Sequence, residues 1–372
     1  MQDSKYPSNY TGVQTLRFFA ALLVVVHHAT TMAATRMSAG STWENGAAGV
    51  DIFFVISGFV MAISAAPLVG RTDGWSDFLT RRAIRVLPMY WIATTLKIAM
   101  ILAVPAMAMR APLDVAHVVA SYLLAPWPDT TGFTYPVLTV GWTLTFEMFF
   151  YILVAAALLL RLPPLWFCAF GFVATSGAGL ALGASTMSTM SPLTAFGHVL
   201  LSPIVLEFIL GMLIAAFLRR QLLPAWLASV LFLLGGAALL LGDAHGEWRP
   251  LAWGLPAAAI VAAVVQLEPV LRRSLPKWLV VQGDASYSLY LFHTFLVPFV
   301  GVALMKVHAP YPILAIVICA IVAPAVAMPL HLWLEKPLTR ILRRLTDRRR
   351  ADGGAAPREM PAVQPLSQTP AE

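Results

Sequence analysis

Charged residues and cysteines are both scarce in this chain of 372 residues. Only 12% of the residues are Asp, Glu, Lys or Arg, which is about half the share found in a typical soluble domain. Hydrophobic residues make up 59% and the mean hydropathy is +0.76. This composition excludes a soluble globular enzyme and indicates an integral membrane protein. The two cysteines, Cys168 and Cys319, both lie in apolar runs, so the sequence indicates neither a disulfide framework nor a metal site.

The basic residues are few, but they are grouped. The formal net charge is +7, from 25 Lys and Arg against 18 Asp and Glu. The positive residues form short clusters between apolar runs, which does not indicate nucleic-acid binding and is typical of cytoplasmic loops. The first apolar run has no small-residue cleavage site, so it predicts a membrane anchor and not a cleavable signal peptide.

Ten apolar runs predict an all-α bundle of about ten transmembrane helices. They cover residues 16–34, 48–68, 86–109, 138–160, 165–182, 198–218, 223–241, 251–267, 285–307 and 313–334. Ten crossings place both termini in the cytoplasm, and every cluster of two or more basic residues then falls on that side.

Two segments fall outside these crossings. Residues 113–126 are apolar but too short to cross, so we expect a re-entrant or interfacial helix. We expect residues 1–344 to form one membrane domain. The tail at 345–372 is rich in Pro, Ala and Arg and has no apolar period, which predicts a disordered cytoplasmic segment.

An ionisable pair interrupts the first apolar run. Arg17 and His28 are eleven residues apart, so on a helix they are separated by about 16 Å and point within about 20° of each other. The adjacent His27 points about 100° away. An ionisable side chain at membrane depth is costly and indicates a functional site. The alternative is a histidine that only links helices.

Four further stretches place polar side chains in or beside predicted spans. They are GVDIFFVISGF at 49–59, RRAIRVLPMYW at 81–91, GWTLTFEMFFY at 141–151 and GDASYSLYLFH at 283–293. In the first, Gly58 favours close helix packing, and Ser57 fits either packing or a polar contact. In the last, Ser286, Tyr290 and His293 share one helix face, and Asp284 is a good N-cap.

Three arginines, Arg81, Arg82 and Arg85, crowd the inner mouth of the third predicted span. Guanidinium groups match phosphate oxygens, so we interpret the cluster as a clamp for a cytoplasmic ligand that carries phosphate. The alternative is that these residues only obey the positive-inside rule.

Glu147 is the one acidic residue near the middle of the fourth predicted span, with Thr143 and Tyr151 one turn to either side. A lone carboxylate at that depth indicates function, and the alternative is a structural partner for a buried arginine. His28, Ser57, Glu147 and His293 all fall within a few residues of the membrane midplane. We therefore expect an anionic cytoplasmic donor to dock on the arginines and reach a His/Glu site halfway across.

In this order and spacing, the five stretches resemble the membrane-bound acyltransferase family 3. Its members include O-acetyltransferases of exopolysaccharides, O-antigen and Nod factors. Arg17 and His28 match the Arg-x10-His pattern of the family, with His27 where the family often has an aromatic residue. HLWLEKP at 331–337, with Glu335, is similar to the closing element. The resemblance covers roughly residues 12–340, and the short loops are most similar to the exopolysaccharide branch.

The resemblance implies transfer of an acyl group, usually acetyl, from cytoplasmic acetyl-CoA to a hydroxyl of a polysaccharide or lipid-linked sugar. It implies a multi-pass protein of the bacterial inner membrane, surrounded by lipid and without a metal. His28 would be the essential histidine, Arg17 its partner and Glu147 a further essential polar group. Arg81, Arg82 and Arg85 would contact CoA, and the residues expected to line the site are Ser57, Tyr151, Tyr290 and His293.

The residues leave the mechanism and the class of protein open. His28 could act as a general base on the sugar hydroxyl or could itself carry the acyl group, while Glu147 could orient His28 or hold the acceptor. A transporter with a midplane His/Glu proton relay also accounts for the buried ionisable groups. It does not account for three arginines at one inner mouth. A structural or sensory membrane protein predicts no CoA binding.

Overall fold

The structure is a computed structural model that describes residues 10–352, apart from 39, 104–112, 130–131, 133, 184–190, 219–221, 243–247 and 309–310. The described residues are almost entirely helical and contain no strand. The α-helices are α1 (Thr11–Arg36), α2 (Gly49–Ala65), α3 (Gly74–Ala103), α4 (Val115–Leu123), α5 (Gly141–Leu159), α6 (Pro164–Leu182), α7 (Pro192–Leu200), α8 (Leu206–Leu213), α9 (Ala225–Leu241), α10 (Leu255–Ser274), α11 (Lys277–Asp284), α12 (Ser286–Lys306), α13 (Pro312–Leu330) and α14 (Lys336–Asp352).

The all-helical membrane bundle expected from the sequence is confirmed. Among the described residues, eight helical stretches are long and apolar enough to cross a membrane: Thr11–Arg36, Glu44–Leu68, Gly74–Ala103, Gly141–Leu159, Pro164–Leu182, Pro250–Ser274, Ser286–Lys306 and Pro312–Asp347. The pair Pro192–Leu200 and Pro203–Leu218, bent by 40°, makes a ninth if it is one span. The shorter apolar helix α9, with 17 residues, occupies the place of the seventh predicted span. The location of both termini in the cytoplasm stays a prediction.

The sixth predicted span, 198–218, is broken where the sequence analysis expected a continuous helix. Ser202 is extended, with φ −68° and ψ 129°, and Pro203 begins a short 3-10 turn before α8. Proline lacks a backbone N–H and disfavours helical geometry in the residue before it, which explains the break.

The ends of three other predicted segments also differ. Helix α3 begins at Gly74, so the arginines at 81–85 lie within a helix and not in a loop before it. The segment at 113–126 contains α4, which Asp114 caps by accepting from the backbone N–H of His117. Helix α14 continues to Asp352, so residues 345–352 are helical where we expected disorder. The remainder of the tail, 353–372, lies outside the described residues.

Helix α1 lies at the centre of the bundle, in contact with α2, α10, α11, α12 and α13. Its alanines at 20, 21 and 29 are fully buried and permit this close packing. Its N-terminus is held by Glu268 of α10, whose carboxylate accepts from the backbone N–H groups of Thr11, at 2.6 Å, and Gly12, at 2.8 Å. An acidic group at a helix N-terminus also complements the helix dipole.

Helices α2 and α8 approach each other through two glycines. A Cβ atom on Gly58 would overlap the carbonyl oxygen of Phe208, and one on Gly211 would overlap that of Val55. The packing role expected for Gly58 is therefore confirmed. We call the end of the bundle with the N-termini of α1 and α3 the basic end, and the end with the N-termini of α2 and α5 the opposite end.

Candidate active site

A cavity of about 320 Å³ lies between α1, α2, α3, α5 and α12. Along α2 it is lined from Val50 to Ser64, and the fourteen helical steps between these residues rise about 21 Å. At the basic end its wall includes Gln14 and Ser286, and at the opposite end it includes Thr143. The cavity is therefore long and runs from the basic end past the middle of the bundle.

Three arginines line this cavity: Arg17 from α1, and Arg82 and Arg85 from α3. Arg82 donates to the hydroxyl of Ser64 at 2.6 Å, and its buried Nε has no hydrogen-bond partner. Within the described part of the chain, the one hydrogen bond of Arg17 is a long one, 3.4 Å, to Gln14. The ion pairs formed by the described residues involve none of the three arginines. Their guanidinium groups thus remain available to an anionic ligand.

The predicted arginine cluster is divided by the structure. Arg82 and Arg85 lie one turn apart on the cavity side of α3. Arg81 is exposed and does not line the cavity. Successive residues on a helix point about 100° apart, so Arg81 and Arg82 cannot face the same volume. All three were predicted to contact the donor, but only Arg82 and Arg85 line the cavity.

Among the described residues that line the cavity, Glu147 is the only one with a carboxylate. Its Oε1 accepts from the Ser57 hydroxyl at 2.6 Å and from the Tyr151 hydroxyl at 2.5 Å. Both donors also line the cavity. Three predicted site residues, from α2 and α5, therefore form one hydrogen-bonded group around Oε1 of Glu147. With three arginines against one carboxylate, the wall carries excess positive charge in a medium of low dielectric constant, which favours an anionic ligand.

The two predicted histidines of the site also meet, but beside the cavity. The rings of His28 and His293 stack, with centroids 5.1 Å apart and planes 29° apart. His293 is buried, and its Nδ1 lies 3.2 Å from the carbonyl oxygen of Leu289. Because a carbonyl can only accept, Nδ1 carries the proton and Nε2 is the basic nitrogen. That Nε2 is buried without a hydrogen-bond partner.

Tyr290 connects the cavity to the histidine pair. It lines the cavity, and its ring centroid is 6.0 Å from that of His293. The Tyr290 hydroxyl is fixed by a 2.9 Å hydrogen bond with Thr143. His28 and His293 are absent from the cavity wall. The single His/Glu site expected from the sequence is thus two adjacent parts, and Glu147 contacts Ser57 and Tyr151 instead of orienting His28.

His27, which the sequence analysis placed on a different face, extends the histidine row toward the opposite end. Its ring centroid is 5.1 Å from that of His28. Its Nδ1 lies 3.1 Å from the carbonyl oxygen of Trp43 and 3.9 Å from a carboxylate oxygen of Glu44. The His27 side chain is 16% exposed and that of Glu44 is 59% exposed, so this row leads from the buried His293 toward the surface.

Two buried polar clusters were not recognised from the sequence. Asp51 is fully buried and accepts two hydrogen bonds from Arg249, at 3.0 and 2.8 Å, across 198 residues of chain. Glu335 accepts from Ser288 at 2.7 Å and from His331 at 3.0 Å. The signals were an aspartate in the apolar run at 49–59 and the glutamate of HLWLEKP, but neither reveals its partner. Both clusters hold helices together next to the cavity.

Comparisons with known proteins identify the family of the chain. Residues 10–332 match the sequence model of a family described as "Acyltransferase domain". The chain is 35% identical to the "Exopolysaccharide production protein ExoZ" of Rhizobium meliloti (strain 1021), over 81% of this chain and 92% of that protein. It is 27% identical to "Acyltransferase MdmB" of Streptomyces mycarofaciens, over 88% of this chain and 91% of that protein. No solved structure matches the chain significantly.

Proposed function

This chain belongs to the acyltransferase family 3, and we propose that it transfers an acetyl group from acetyl-CoA to a hydroxyl of an exopolysaccharide or lipid-linked glycan. It is a multi-pass membrane protein and an acyltransferase. The observation that carries the proposed donor is the elongated cavity, where Arg17, Arg82 and Arg85 have no ion-pair partner among the described residues.

The shape and charge of the cavity suit coenzyme A. Coenzyme A is a long molecule with phosphates at one end and a thioester at the end of a flexible arm. The arginines stand nearer the basic end, where they would bind phosphate through guanidinium forks. The arm would then extend along α2 toward Thr143. A volume of about 320 Å³ falls within the usual size range of ligand sites, and the unpartnered hydroxyl of Ser286 offers a polar contact.

The histidine pair supplies the chemistry. In acyl transfer, the acceptor hydroxyl loses a proton to a base as its oxygen bonds to the thioester carbonyl carbon. The C–S bond then breaks, and the departing sulfur takes up a proton. His28 makes no hydrogen bond to any residue that the structure describes, so neither of its nitrogens is committed to a described partner. It would act as the general base or first receive the acyl group itself.

We propose that the acceptor approaches from the opposite end. The partly exposed His27 and the exposed Glu44 lie there, whereas the arginines occupy the basic end. The relative from Rhizobium meliloti is named for exopolysaccharide production, which supports a glycan acceptor. With both termini in the cytoplasm of a bacterial inner membrane, the donor would enter from inside and the acceptor from outside.

The proposal is tested with acetyl-labelled CoA and membrane vesicles that contain the protein and a polysaccharide acceptor. We expect label to enter the glycan when labelled CoA is on the face of the basic end, and not when it is supplied only on the other face. Label that remains on the protein when the acceptor is withheld would identify an acyl-enzyme step. Absence of transfer from either face, with acceptor demonstrably present, would contradict the proposal.

A further inference from the structure

The last transmembrane helix does not end at the membrane surface. Helix α13, a π-helical turn at His331–Glu335 and α14 are continuous, and the stretch Pro312–Asp347 within them has 36 residues. At about 1.5 Å per residue it is about 54 Å long, whereas the hydrocarbon core is about 30 Å thick. The hydrogen bond from Ser288 to Glu335 places the α13–α14 junction beside the start of α12. Helix α14 therefore projects from the basic end.

Helix α14 lies against α3, the helix that supplies two cavity arginines. The two helices are in contact, and Leu338 packs on the hydrophobic core that includes Val86 and Met89 of α3. Because α3 begins at the basic end and α14 leaves from it, the steps from Val86 to Arg82 and from Leu338 to Arg343 both lead outward at that end, so Arg343 lies at about the level of Arg82. Arg82 lines the cavity, and Arg343 lies beside α3 at the basic end, outside the residues that match the family model.

Neither of the two guanidinium groups forms an ion pair with a described residue. Arg343 is exposed and forms no ion pair within the described part of the chain, although Asp347 lies one turn further along α14. Arg82 keeps a buried Nε without a partner. Two like charges that interact across neighbouring helices repel each other until an anion lies between them. A phosphate group accepts hydrogen bonds from both and removes this repulsion.

We infer that Arg343 and Arg82 together bind the phosphate on the ribose of the adenosine end of coenzyme A. The inference rests on the proposed use of acetyl-CoA. If the flexible arm fills the cavity along α2, the bulky nucleotide stays at the entrance, beside α3 and α14. The arginines deeper in the cavity, Arg17 and Arg85, then remain for the pyrophosphate and the arm. Phosphate recognition is thus divided between the family domain and a helix beyond it.

The test compares acetyl-CoA with acetyl-dephospho-CoA, which lacks only this phosphate, for the full-length protein in nanodiscs of neutral lipid. A hydrogen bond to a charged group contributes enough free energy for roughly tenfold or greater discrimination. We expect wild-type protein to have a KM for acetyl-CoA about tenfold lower than for acetyl-dephospho-CoA. In Arg343→Ala, the KM for acetyl-CoA should rise to the value of the dephospho donor, and the KM for the dephospho donor should not change.

Arg344→Ala is the matched control, because Arg344 is exposed on the same helix but points about 100° away. It should keep the wild-type discrimination. Equal use of both donors by the wild type, or an equal rise of both KM values in Arg343→Ala, would overturn the subsite while leaving acetyl transfer intact. Failure of the wild type to use either donor would instead contradict the proposed function.

An anionic lipid headgroup is the other source of phosphate at this position. The same measurements in nanodiscs that contain phosphatidylglycerol separate the two sources. If Arg343 binds coenzyme A, Arg343→Ala should lose the preference for acetyl-CoA over acetyl-dephospho-CoA in both lipid compositions. If the variant differs from the wild type only when anionic lipid is present, and to the same degree with both donors, Arg343 binds lipid and the inference is wrong.

Discussion

The imidazole rings of His28 on α1 and His293 on α12 stack at a centroid distance of 5.1 Å, although the two residues are 265 positions apart in the sequence. The hydrogen bond from Nδ1 of His293 to the carbonyl of Leu289 fixes the orientation of the second ring, and the stacking in turn restricts the first. His28 is thereby held in place, and its nitrogens have no hydrogen-bond partner among the described residues, as a general base or acyl carrier requires.

His28→Asn should abolish most acyl transfer and leave the fold intact. General acid–base catalysis by a positioned group contributes about 100- to 10,000-fold, so we expect a loss of that size in label transferred to glycan. His308→Asn is the matched control, since His308 is exposed, lies at the end of α12 and has a positive φ of 54° that Asn tolerates. Equal activity of the two variants would contradict the role given to His28.

Arg85→Ala should weaken donor binding, whereas Arg81→Ala should not. Arg85 lines the cavity and Arg81 is exposed outside it, and a lost hydrogen bond between charged groups costs about tenfold or more in affinity. We expect the KM for acetyl-CoA to rise accordingly in Arg85→Ala and to stay near the wild-type value in Arg81→Ala. A similar rise in both variants would indicate a general effect of surface charge.

Ser57→Ala and Tyr151→Phe should destabilise the protein through the same atom, Oε1 of Glu147. The hydrogen bond from Ser57 joins α2 to α5, and bonds between membrane helices contribute about 0.6 to 1.7 kcal/mol. The bond from Tyr151 lies within α5 and, as a hydrogen bond to a charged group, contributes about 1.5 kcal/mol or more. Because both hydrogen bonds end on one oxygen, we expect the double variant to show a coupling free energy above about 0.5 kcal/mol. The measurement is equilibrium unfolding in mixed micelles.

Tyr311→Phe provides the control for the tyrosine substitution. Tyr311 is 63% exposed, so loss of its hydroxyl should change the free energy of unfolding by less than about 0.5 kcal/mol. Strictly additive effects of Ser57→Ala and Tyr151→Phe would mean that the two hydroxyl groups do not share Glu147.

Gly58→Ala should separate α2 from α8. The added methyl would overlap the carbonyl oxygen of Phe208, and overpacking of this kind costs about 1–3 kcal/mol. Gly177→Ala, in α6, has no atom within 4 Å of the new Cβ and should be neutral or stabilising by up to about 1 kcal/mol, since alanine favours helix. Thermal unfolding in detergent compares the two. Destabilisation by Gly177→Ala alone would contradict the packing described for α2 and α8.

Local pattern in the sequence was sufficient for the features that depend on neighbouring residues. Apolar runs identify the membrane helices because the bilayer requires continuous apolar length. Helical periodicity places Arg17 and His28 on one face and Glu147 one turn from Tyr151, because side-chain direction repeats every 3.6 residues. The break at Pro203 also had a local signal, a proline inside an apolar run, although the sequence analysis did not use it.

Contacts between distant helices were decided only by the tertiary structure. Periodicity defines directions within one helix, but it does not define which helix stands opposite. The sequence therefore identified Ser57 and Glu147 separately, while the packing of α2 on α5 joins them across 90 residues. The sequence by itself therefore determined the acyltransferase family, the bundle of membrane helices and the His, Glu and Arg side chains within those helices, but not their contacts. Packing decided that the arginines share a cavity with Glu147, that Arg81 is left out, and that His28 pairs with His293 beyond Tyr290.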